Sequence, residues 1–129
     1  MTDQLKKGKV LIVDDVKIFQ RMTGMALESN GYQVCTASNG REAVEKAKAE
    51  MPDMILMDII MPEMDGYQAC EAIKKDAVTK GIPIIMLTSI AKKDAIMLAL
   101  QSGACDYLVK SGFKTSTLIE KIEQHIHVK

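Results

Sequence analysis

The amino-acid sequence predicts an α/β fold, a doubly wound parallel sheet of five strands with helices on both faces. Short apolar runs rich in β-branched residues alternate with amphipathic stretches, and this pair of features occurs five times along the chain. Parallel strands joined by helices need right-handed crossovers, which place helices on both faces of one sheet. The 129 residues suffice for one domain with a real core, and no Gly/Ser/Pro-rich linker interrupts residues 1–129. One domain therefore accounts for the whole sequence.

The first two units predict a central strand and an edge strand. Lys9–Val13 is apolar nearly throughout, as expected for a strand that is covered on both faces. Gln33–Ala37 is less uniformly apolar, which favours a place at the edge of the sheet. Gly31 can supply the left-handed cap of the helix between them. That helix carries apolar side chains at helical spacing: Ile18, Phe19, Met22, Met25 and Ala26.

The remaining units repeat the pattern with recognisable helix ends. Asn39 and Glu42 form a possible capping box for the second helix, which must end near Pro52. Asp65 is placed to cap the third helix, and Gly103 ends the fourth, predicted over residues 92–102. The other predicted strands are residues 53–57, 82–87 and 107–109. One face of the last helix is apolar and consists of Leu118, Ile119, Ile122 and Ile126.

The charge balance argues against a nucleic-acid or membrane partner. Lys+Arg and Asp+Glu both number 17, so no global field attracts DNA, RNA or an anionic membrane. The sequence shows no targeting segment, and its longest apolar runs have the length of strands. We therefore expect a cytoplasmic location and no direct contact with nucleic acid or membrane.

The sulfur-containing residues predict a reduced, adaptable core. Cysteines 35, 70 and 105 are odd in number and widely spaced, which fits reduced, buried thiols and argues against a disulfide framework or a zinc site. Ten methionines accompany only five aromatic residues, and we interpret the methionines as core-filling side chains.

Polar side chains follow four of the five predicted strands. Ligands of an open parallel sheet bind outside the carboxyl ends of its strands, so these side chains are candidate site residues. The residues that follow strands one, three, four and five are Asp14 and Asp15, Asp58, Thr88 and Ser89, and Lys110, respectively.

The three aspartates predict a site for a divalent cation. Carboxylates that converge in one crevice repel each other, and a cation removes this conflict. Oxygen ligands without Cys or His favour Mg²⁺, Mn²⁺ or Ca²⁺ over zinc, and Mg²⁺ suits a site that also accepts a phosphate oxygen. Asp14 and Asp15 alone fit helix capping equally well, but Asp58 directly after an apolar strand has few other partners.

Four segments resemble the receiver domain of two-component response regulators. They are residues 11–15 (LIVDD), 57–66 (MDIIMPEMDG), 87–89 (LTS) and 106–110 (DYLVK), and the resemblance extends over nearly the whole chain. It implies a flavodoxin-like fold of the chemotaxis-receiver type with strand order 2-1-3-4-5, an order that follows from the resemblance and not from the strand pattern. It also implies a signalling switch, not a metabolic enzyme.

The resemblance implies a role for each candidate residue. Asp58 would accept the phosphoryl group of a phosphohistidine, supplied by a sensor histidine kinase or a phosphotransfer protein. Mg²⁺, or Mn²⁺ in its place, would be bound by Asp15, by Asp58 and by the backbone carbonyl of Ile60, with Asp14 acting through water. Lys110 and Thr88 would hold phosphoryl oxygens, and Tyr107 would change from exposed to buried as part of the switch.

One departure from the family pattern concerns the residue after the lysine. The family usually has proline there, often with a cis bond, whereas this chain has Ser111. A cis bond before a residue other than proline costs about 3–4 kcal/mol, so the Lys110–Ser111 peptide is either trans or strained.

Three other protein classes fit the sequence less well. A haloacid-dehalogenase-like phosphatase needs a second aspartate two residues after the nucleophile, where this chain has Ile60. A flavodoxin-like cofactor binder needs a phosphate-binding loop after the first strand, and none is present. A receiver-like binding module without phosphorylation would lack some of the five site residues, all of which are present: Asp14, Asp15, Asp58, Thr88 and Lys110.

The resemblance also implies that a target protein binds the surface of the fourth helix, fifth strand and fifth helix. Relatives that dimerise there carry two acidic residues before the aromatic and an arginine in the last helix. Here Cys105 replaces the first acid, and residues 113–129 contain no Arg, which predicts a monomer. The start at residues 1–4 and the complete last helix favour a stand-alone receiver; the alternative is a receiver fragment of a larger regulator with an output domain.

Overall fold

The computed structural model describes residues 7–89, 92–111 and 114–126. The interpretation of residues 1–4 as a natural start lies outside the described residues. The elements in chain order are β1 (Lys9–Val13), α1 (Lys17–Ser29), β2 (Gln33–Ala37), α2 (Gly40–Glu50), β3 (Met54–Asp58), α3 (Gly66–Lys75), β4 (Ile84–Thr88), α4 (Lys93–Gln101), β5 (Asp106–Val109) and α5 (Thr115–His125).

All five strands form one parallel sheet in the order β2-β1-β3-β4-β5. The doubly wound fold and the strand order are therefore confirmed, and β2 is the edge strand that its mixed composition predicts. The chain runs from β1 outward to β2 and then returns to β3 on the other side of β1. Ligands of open α/β sheets bind at such a reversal, outside the carboxyl ends of the strands.

Two core layers cover the two faces of the sheet. Alternate strand residues point to opposite faces, as the pleat requires. Leu11, Val13, Ile55 and Met57 pack with buried side chains of α2, α3 and α4 on one face. The residues between them pack with Leu27 of α1 and with Leu118, Ile119 and Ile122 of α5 on the other face: Val10, Ile12, Met54 and Leu56.

Side-chain caps fix the starts of α2 and α3. The Asn39 side chain accepts a hydrogen bond from the Glu42 backbone N–H at 2.9 Å, and the Glu42 carboxylate accepts one from the Ser38 N–H at 2.9 Å. Asp65 and Gln68 form a complete capping box. Each of these caps satisfies backbone groups at a helix end that have no partner within the helix.

The buried face of α1 differs from the apolar positions in its sequence. Ile18, Met22 and Met25 are between 62% and 67% exposed, and the buried residues of α1 are Gln20, Thr23, Gly24 and Leu27. A Cβ at Gly24 would lie 3.5 Å from Val34 Cγ1, an ordinary contact, so this position has room for a small side chain. The buried Gln20 amide donates hydrogen bonds to the carbonyls of Asp14 and Ala37, both at 3.0 Å.

The predictions for sulfur-containing residues hold only in part. Cys70 is buried and all three thiols are free, but Cys35 is half-buried and Cys105 is exposed. The prediction of buried thiols is therefore wrong for Cys105, which lies in the turn before β5. Four methionines fill the core, namely Met54, Met57, Met61 and Met86, whereas four others are exposed, namely Met22, Met25, Met51 and Met97. In the described part of the chain, no helix has both the length and the apolar character needed to cross a membrane.

Candidate functional site

Three aspartates meet at the carboxyl edge of the two central strands. Asp14 follows β1, and Asp58 is the last residue of β3, where it pairs in register with Leu87. Asp14, Asp15 and Asp58 each offer an oxygen within 4.8 Å of the others. Asp14 and Asp58 are buried, at 1% and 6% exposure, while Asp15 is exposed. The trio that the sequence predicts is thus assembled with one solvent-facing and two buried carboxyl groups.

The ammonium group of Lys110 lies between the two buried carboxylates. Its Nζ is 2.8 Å from Asp14 Oδ2 and 3.2 Å from Asp58 Oδ2, and the Lys110 side chain is 16% exposed. The same Nζ lies 4.4 Å from the centroid of the Phe19 ring, within the range of a cation–π contact. Sequence reasoning missed Phe19 as a site residue, because the direction in which α1 faces is set by tertiary packing.

Burial and charge act against each other in this cluster. Burial raises the pKa of the Asp58 carboxyl above its ordinary value, the positive Lys110 opposes the shift, and the negative Asp14 adds to it. Burial would lower the pKa of the Lys110 ammonium, but hydrogen bonding and charge from Asp14 and Asp58 raise it above its ordinary value. Lys110 therefore stays charged, and Asp58 ionises less readily than an exposed aspartate.

The backbone of β5 positions Lys110 without a cis peptide. The Lys110 N–H donates a hydrogen bond to the Thr88 carbonyl at 2.6 Å, which continues the pairing of Thr88 with Val109. No peptide bond in the described ranges is cis, so the Lys110–Ser111 peptide is trans. This hydrogen bond fixes the Lys110 backbone at the end of the ladder between β4 and β5.

Thr88 and Tyr107 lie on one face of neighbouring strands. Thr88 is the last residue of β4 and is 1% exposed. Tyr107 pairs in register with Met86, two residues before Thr88, so both side chains project from the same face. The Tyr107 ring is half-buried against the core layer under α2, α3 and α4. Tyr107 therefore lies outside the acidic cluster, on the face of the sheet that α2, α3 and α4 cover.

The loop between β3 and α3 completes the rim of the site. Ile60, two residues after Asp58, is 57% exposed. The Gly66 N–H donates a hydrogen bond to the Ile59 carbonyl at 2.8 Å, and Glu63 adopts a left-handed backbone conformation with φ of 68°. A Cβ on Gly66 would overlap the Asp58 carbonyl oxygen, so only glycine allows this close return of the chain.

This strand order, with an acidic trio and a lysine at the carboxyl edge, agrees with the match of residues 10–123 to the family described as the response regulator receiver domain. The chain belongs to the response regulator receiver family. Receiver domains of two-component systems are signalling switches and not metabolic enzymes, and the family binds Mg²⁺ at its acidic site.

The relatives of known name that the chain matches extend well beyond the matched region. The sequence is 44% identical over 104 residues to a probable transcriptional regulator of Guillardia theta, covering 81% of this chain and 40% of that protein. It is 38% identical over 102 residues to the alkaline phosphatase synthesis transcriptional regulatory protein of Bacillus subtilis, covering 79% of this chain and 42% of that protein. The receiver chain therefore spans less than half the length of these relatives.

Solved structures of receivers superpose on most of the chain. A chemotaxis protein of Vibrio cholerae has a TM-score of 0.85 at 34% identity and covers 92% of this chain and 98% of its own. The receiver domain of a sensor histidine kinase from Pseudomonas aeruginosa has a TM-score of 0.84 at 33% identity, covering 92% and 96% of the two chains. In that structure a magnesium ion is coordinated in the active-site cleft.

Proposed function

We propose that this receiver is a switch in which Asp58 accepts a phosphoryl group from a phosphohistidine of a sensor histidine kinase or phosphotransfer protein. The observation that carries the proposal is the convergence of three carboxylates and one ammonium group around Asp58 at the reversal point of the sheet. Asp58 would attack the phosphorus with a carboxylate oxygen. The P–N bond of the donor would break, its electron pair would stay on the imidazole nitrogen, and Asp58 would become an acyl phosphate.

The donor set of the cluster fits Mg²⁺, with Mn²⁺ as a substitute. All three side chains of the cluster are carboxylates, which supply the hard oxygen ligands that Mg²⁺ prefers, and not the sulfur or nitrogen ligands that favour zinc. Asp15, Asp58 and the Ile60 carbonyl would hold the ion, with Asp14 acting through water. Bound Mg²⁺ supplies positive charge that offsets the charge of the phosphoryl oxygens during transfer.

The remaining site residues would bind the transferred group. Lys110 Nζ is 3.2 Å from Asp58 Oδ2, so it needs only a small movement to contact a phosphoryl oxygen on that carboxylate. Thr88 would donate its hydroxyl to another phosphoryl oxygen from the neighbouring strand. Asp14 keeps Lys110 close when the Asp58 oxygen is occupied, because their ion pair measures 2.8 Å.

Phosphorylation would reach a target protein through α4, β5 and α5. Tyr107 lies on the same face as Thr88, so a movement of Thr88 toward the phosphoryl group changes the space beside the ring. α4 exposes three large apolar side chains on this surface, Met97, Leu98 and Leu100, at 45% to 49%. Apolar side chains exposed together on one helix are typical of a protein-binding surface.

We assign residues 1–129 to one receiver domain that acts in the cytoplasm, as a monomer, on a protein target and not directly on nucleic acid or membrane. The alternative is that the chain is the receiver part of a larger regulator with an output domain, because its relatives are longer than this chain. Asp58 has the same chemistry in both cases.

Phosphorylation by a small donor tests the proposal directly. Incubation with acetyl phosphate and Mg²⁺ should add one phosphoryl group, a gain of about 80 Da that is labile to base. Asp58→Asn should abolish the adduct, and removal of Mg²⁺ with a chelator should do the same in the natural protein. Full labelling of Asp58→Asn, measured by intact-protein mass spectrometry, would exclude Asp58 as the acceptor.

A further inference from the structure

Gly40, the first residue of α2, lies directly against the loop between β3 and α3. A Cβ at Gly40 would overlap the Met64 carbonyl oxygen and would lie 2.8 Å from Met64 Cβ and 2.9 Å from the Met64 carbonyl carbon. The φ of Gly40 is not positive, so its backbone conformation is open to other residues. Close packing against Met64, and not conformational freedom, is therefore what requires glycine at this position.

Gly66, at the end of the same loop, packs closely against the end of β3. A Cβ there would overlap the Asp58 carbonyl oxygen and would lie 2.8 Å from Ile59 Cα. The hydrogen bond from the Gly66 N–H to the Ile59 carbonyl, at 2.8 Å, closes the loop onto the end of β3. The loop is thus held at two points, at Met64 by the start of α2 and at Gly66 by the end of the strand that carries Asp58.

The start of α2 offers little freedom to move away from the loop. The Asn39 cap and the Glu42 contact with Ser38 fix its first turn, and Ala43 is fully buried in the core. A group added at Gly40 must therefore displace Met64, whose N–H is bonded to the Pro62 carbonyl at 2.8 Å. That displacement would pass along the loop toward Ile60.

We propose that Gly40 is a positioning residue for the phosphoacceptor site. By letting α2 lie against the Met64 carbonyl, Gly40 holds the loop in the conformation that sets Ile60 beside Asp58. The left-handed conformation of Glu63 supports this role, because such a conformation in a residue other than glycine persists only where the surroundings impose it. The inference rests on the proposed function, in which the Ile60 carbonyl and Asp58 hold Mg²⁺.

Two alanine variants separate positioning from general packing. Gly40→Ala should weaken Mg²⁺ binding, measured by calorimetry, by about tenfold or more, as substitutions of residues that orient metal ligands do. Gly24→Ala is the matched control, since Gly24 is also buried and helical but a Cβ there meets Val34 Cγ1 at 3.5 Å and Ile12 Cδ1 at 3.8 Å, both ordinary contacts. Its Mg²⁺ affinity should equal that of the natural protein.

A second readout uses the protein without metal. Because Gly40 holds the loop, Gly40→Ala should accelerate hydrogen exchange of the Gly66 amide, while Gly24→Ala should not. Unchanged Mg²⁺ affinity and unchanged Gly66 exchange in folded Gly40→Ala would mean that α2 yields instead of the loop, which overturns the inference.

Failure of the inference and failure of the proposed function give different results. If the natural protein binds no Mg²⁺, or Asp58→Asn binds it normally, the proposed metal site fails, and Gly66 exchange still decides whether Gly40 holds the loop. If Gly40→Ala does not fold, Asn39→Ala carries the test, because it removes the side-chain cap that fixes the first turn of α2 against Met64 and adds no atoms. Weaker Mg²⁺ binding and faster Gly66 exchange in Asn39→Ala support the inference, and natural values of both overturn it.

Discussion

At the scale of single residues, Phe19 and Lys110 form a pair that the family motifs do not include. The ring lies 4.4 Å from the ammonium nitrogen, which is also held by two buried carboxylates. A cation over an aromatic face is stabilised by about 1 kcal/mol, and more where water is excluded. The ring therefore helps to hold the charge that, in the proposed function, contacts the phosphoryl group.

Replacing the ring tests this contribution. Phe19→Leu removes the aromatic face but keeps an apolar side chain, so the initial rate of phosphorylation by acetyl phosphate should fall about fivefold. Phe19→Tyr keeps the ring and serves as the control, with a rate close to that of the natural protein. Equal rates for the leucine and tyrosine variants would show that Phe19 only fills space.

The raised pKa of Asp58 predicts how its charge affects stability. The pKa of the Asp58 carboxyl is higher in the folded than in the unfolded state. Ionisation of this group therefore lowers the stability of the fold, and the loss develops as pH rises from the unfolded-state pKa through the folded-state pKa. Asp58→Asn removes that ionisation and should raise the Tm of the metal-free protein at pH 7, measured by thermal denaturation. A lower Tm than that of the natural protein would mean that the attraction of Lys110 outweighs the burial of the charge.

The site residues differ in how far the sequence alone could find them. Asp14, Asp15, Asp58 and Lys110 each directly follow or end an apolar strand, and the carboxyl ends of parallel strands share one edge. Phe19 depends on the direction in which α1 faces, and that direction is set by tertiary packing. The trans peptide after Lys110, by contrast, agrees with the local sequence, because Ser111 is not a proline and trans is the favoured form.

At the scale of elements, Asp106 joins β5 to α5. Its carboxylate accepts hydrogen bonds from Lys121 Nζ at 3.0 Å and from the Tyr107 backbone N–H at 2.8 Å, and it lies 3.1 Å from His125 Nε2. Burial would raise the pKa of Asp106, but these partners lower it below its ordinary value. The ionised carboxylate thus fixes the strand that carries Tyr107 against the last helix.

Removing this carboxylate should lower stability in a way that depends on pH. A group with a lowered folded-state pKa contributes stability above its unfolded pKa and loses it as pH falls through the folded value. Asp106→Asn should therefore destabilise the protein at pH 7 by about 1–2 kcal/mol in urea unfolding, and the difference should shrink in acid. The exposed carboxylate Glu120, also on α5, provides the control Glu120→Gln, which should change stability little at either pH.

The elements themselves were largely predictable, and the exceptions have physical causes. Both capped helices and all five strands occur where the apolar pattern and the turn residues indicate them. The bounds differ slightly: β3 begins one residue later and β4 two residues later than predicted, and β5 begins one residue earlier, at Asp106. β3 and β4 also end one residue later, at Asp58 and Thr88, because these residues continue the ladders with neighbouring strands. The inward face of α1 was not predictable, because it includes the polar Gln20. The buried amide of Gln20 is satisfied by the carbonyls of Asp14, just after β1, and Ala37, at the end of β2.

At the scale of the whole molecule, a single strand lies between the strand that ends in Asp58 and the edge strand β5. The trio of aspartates lies at the reversal point between β1 and β3, whereas β5 lies at one edge of the sheet. Thr88 at the end of β4 lies between these regions, since β4 pairs with both β3 and β5. A signal from Asp58 therefore needs to cross only one strand to reach the proposed target surface.

The charged side chains on the surface of α4, β5 and α5 predict the association state. The family resemblance implies that dimers at this surface need charged pairs between copies, but Asp106 already binds Lys121 and His125 of its own chain. Residues 113–129 contain no Arg, so this part of the chain offers no guanidinium for bidentate pairing with a second copy. We expect the protein loaded with Mg²⁺ and beryllofluoride, a mimic of the phosphoryl group, to remain a monomer in light scattering at high concentration. A dimer that dissociates when Tyr107 of β5 or Ile96 of α4 is replaced by alanine would contradict this expectation and identify the second copy as the partner.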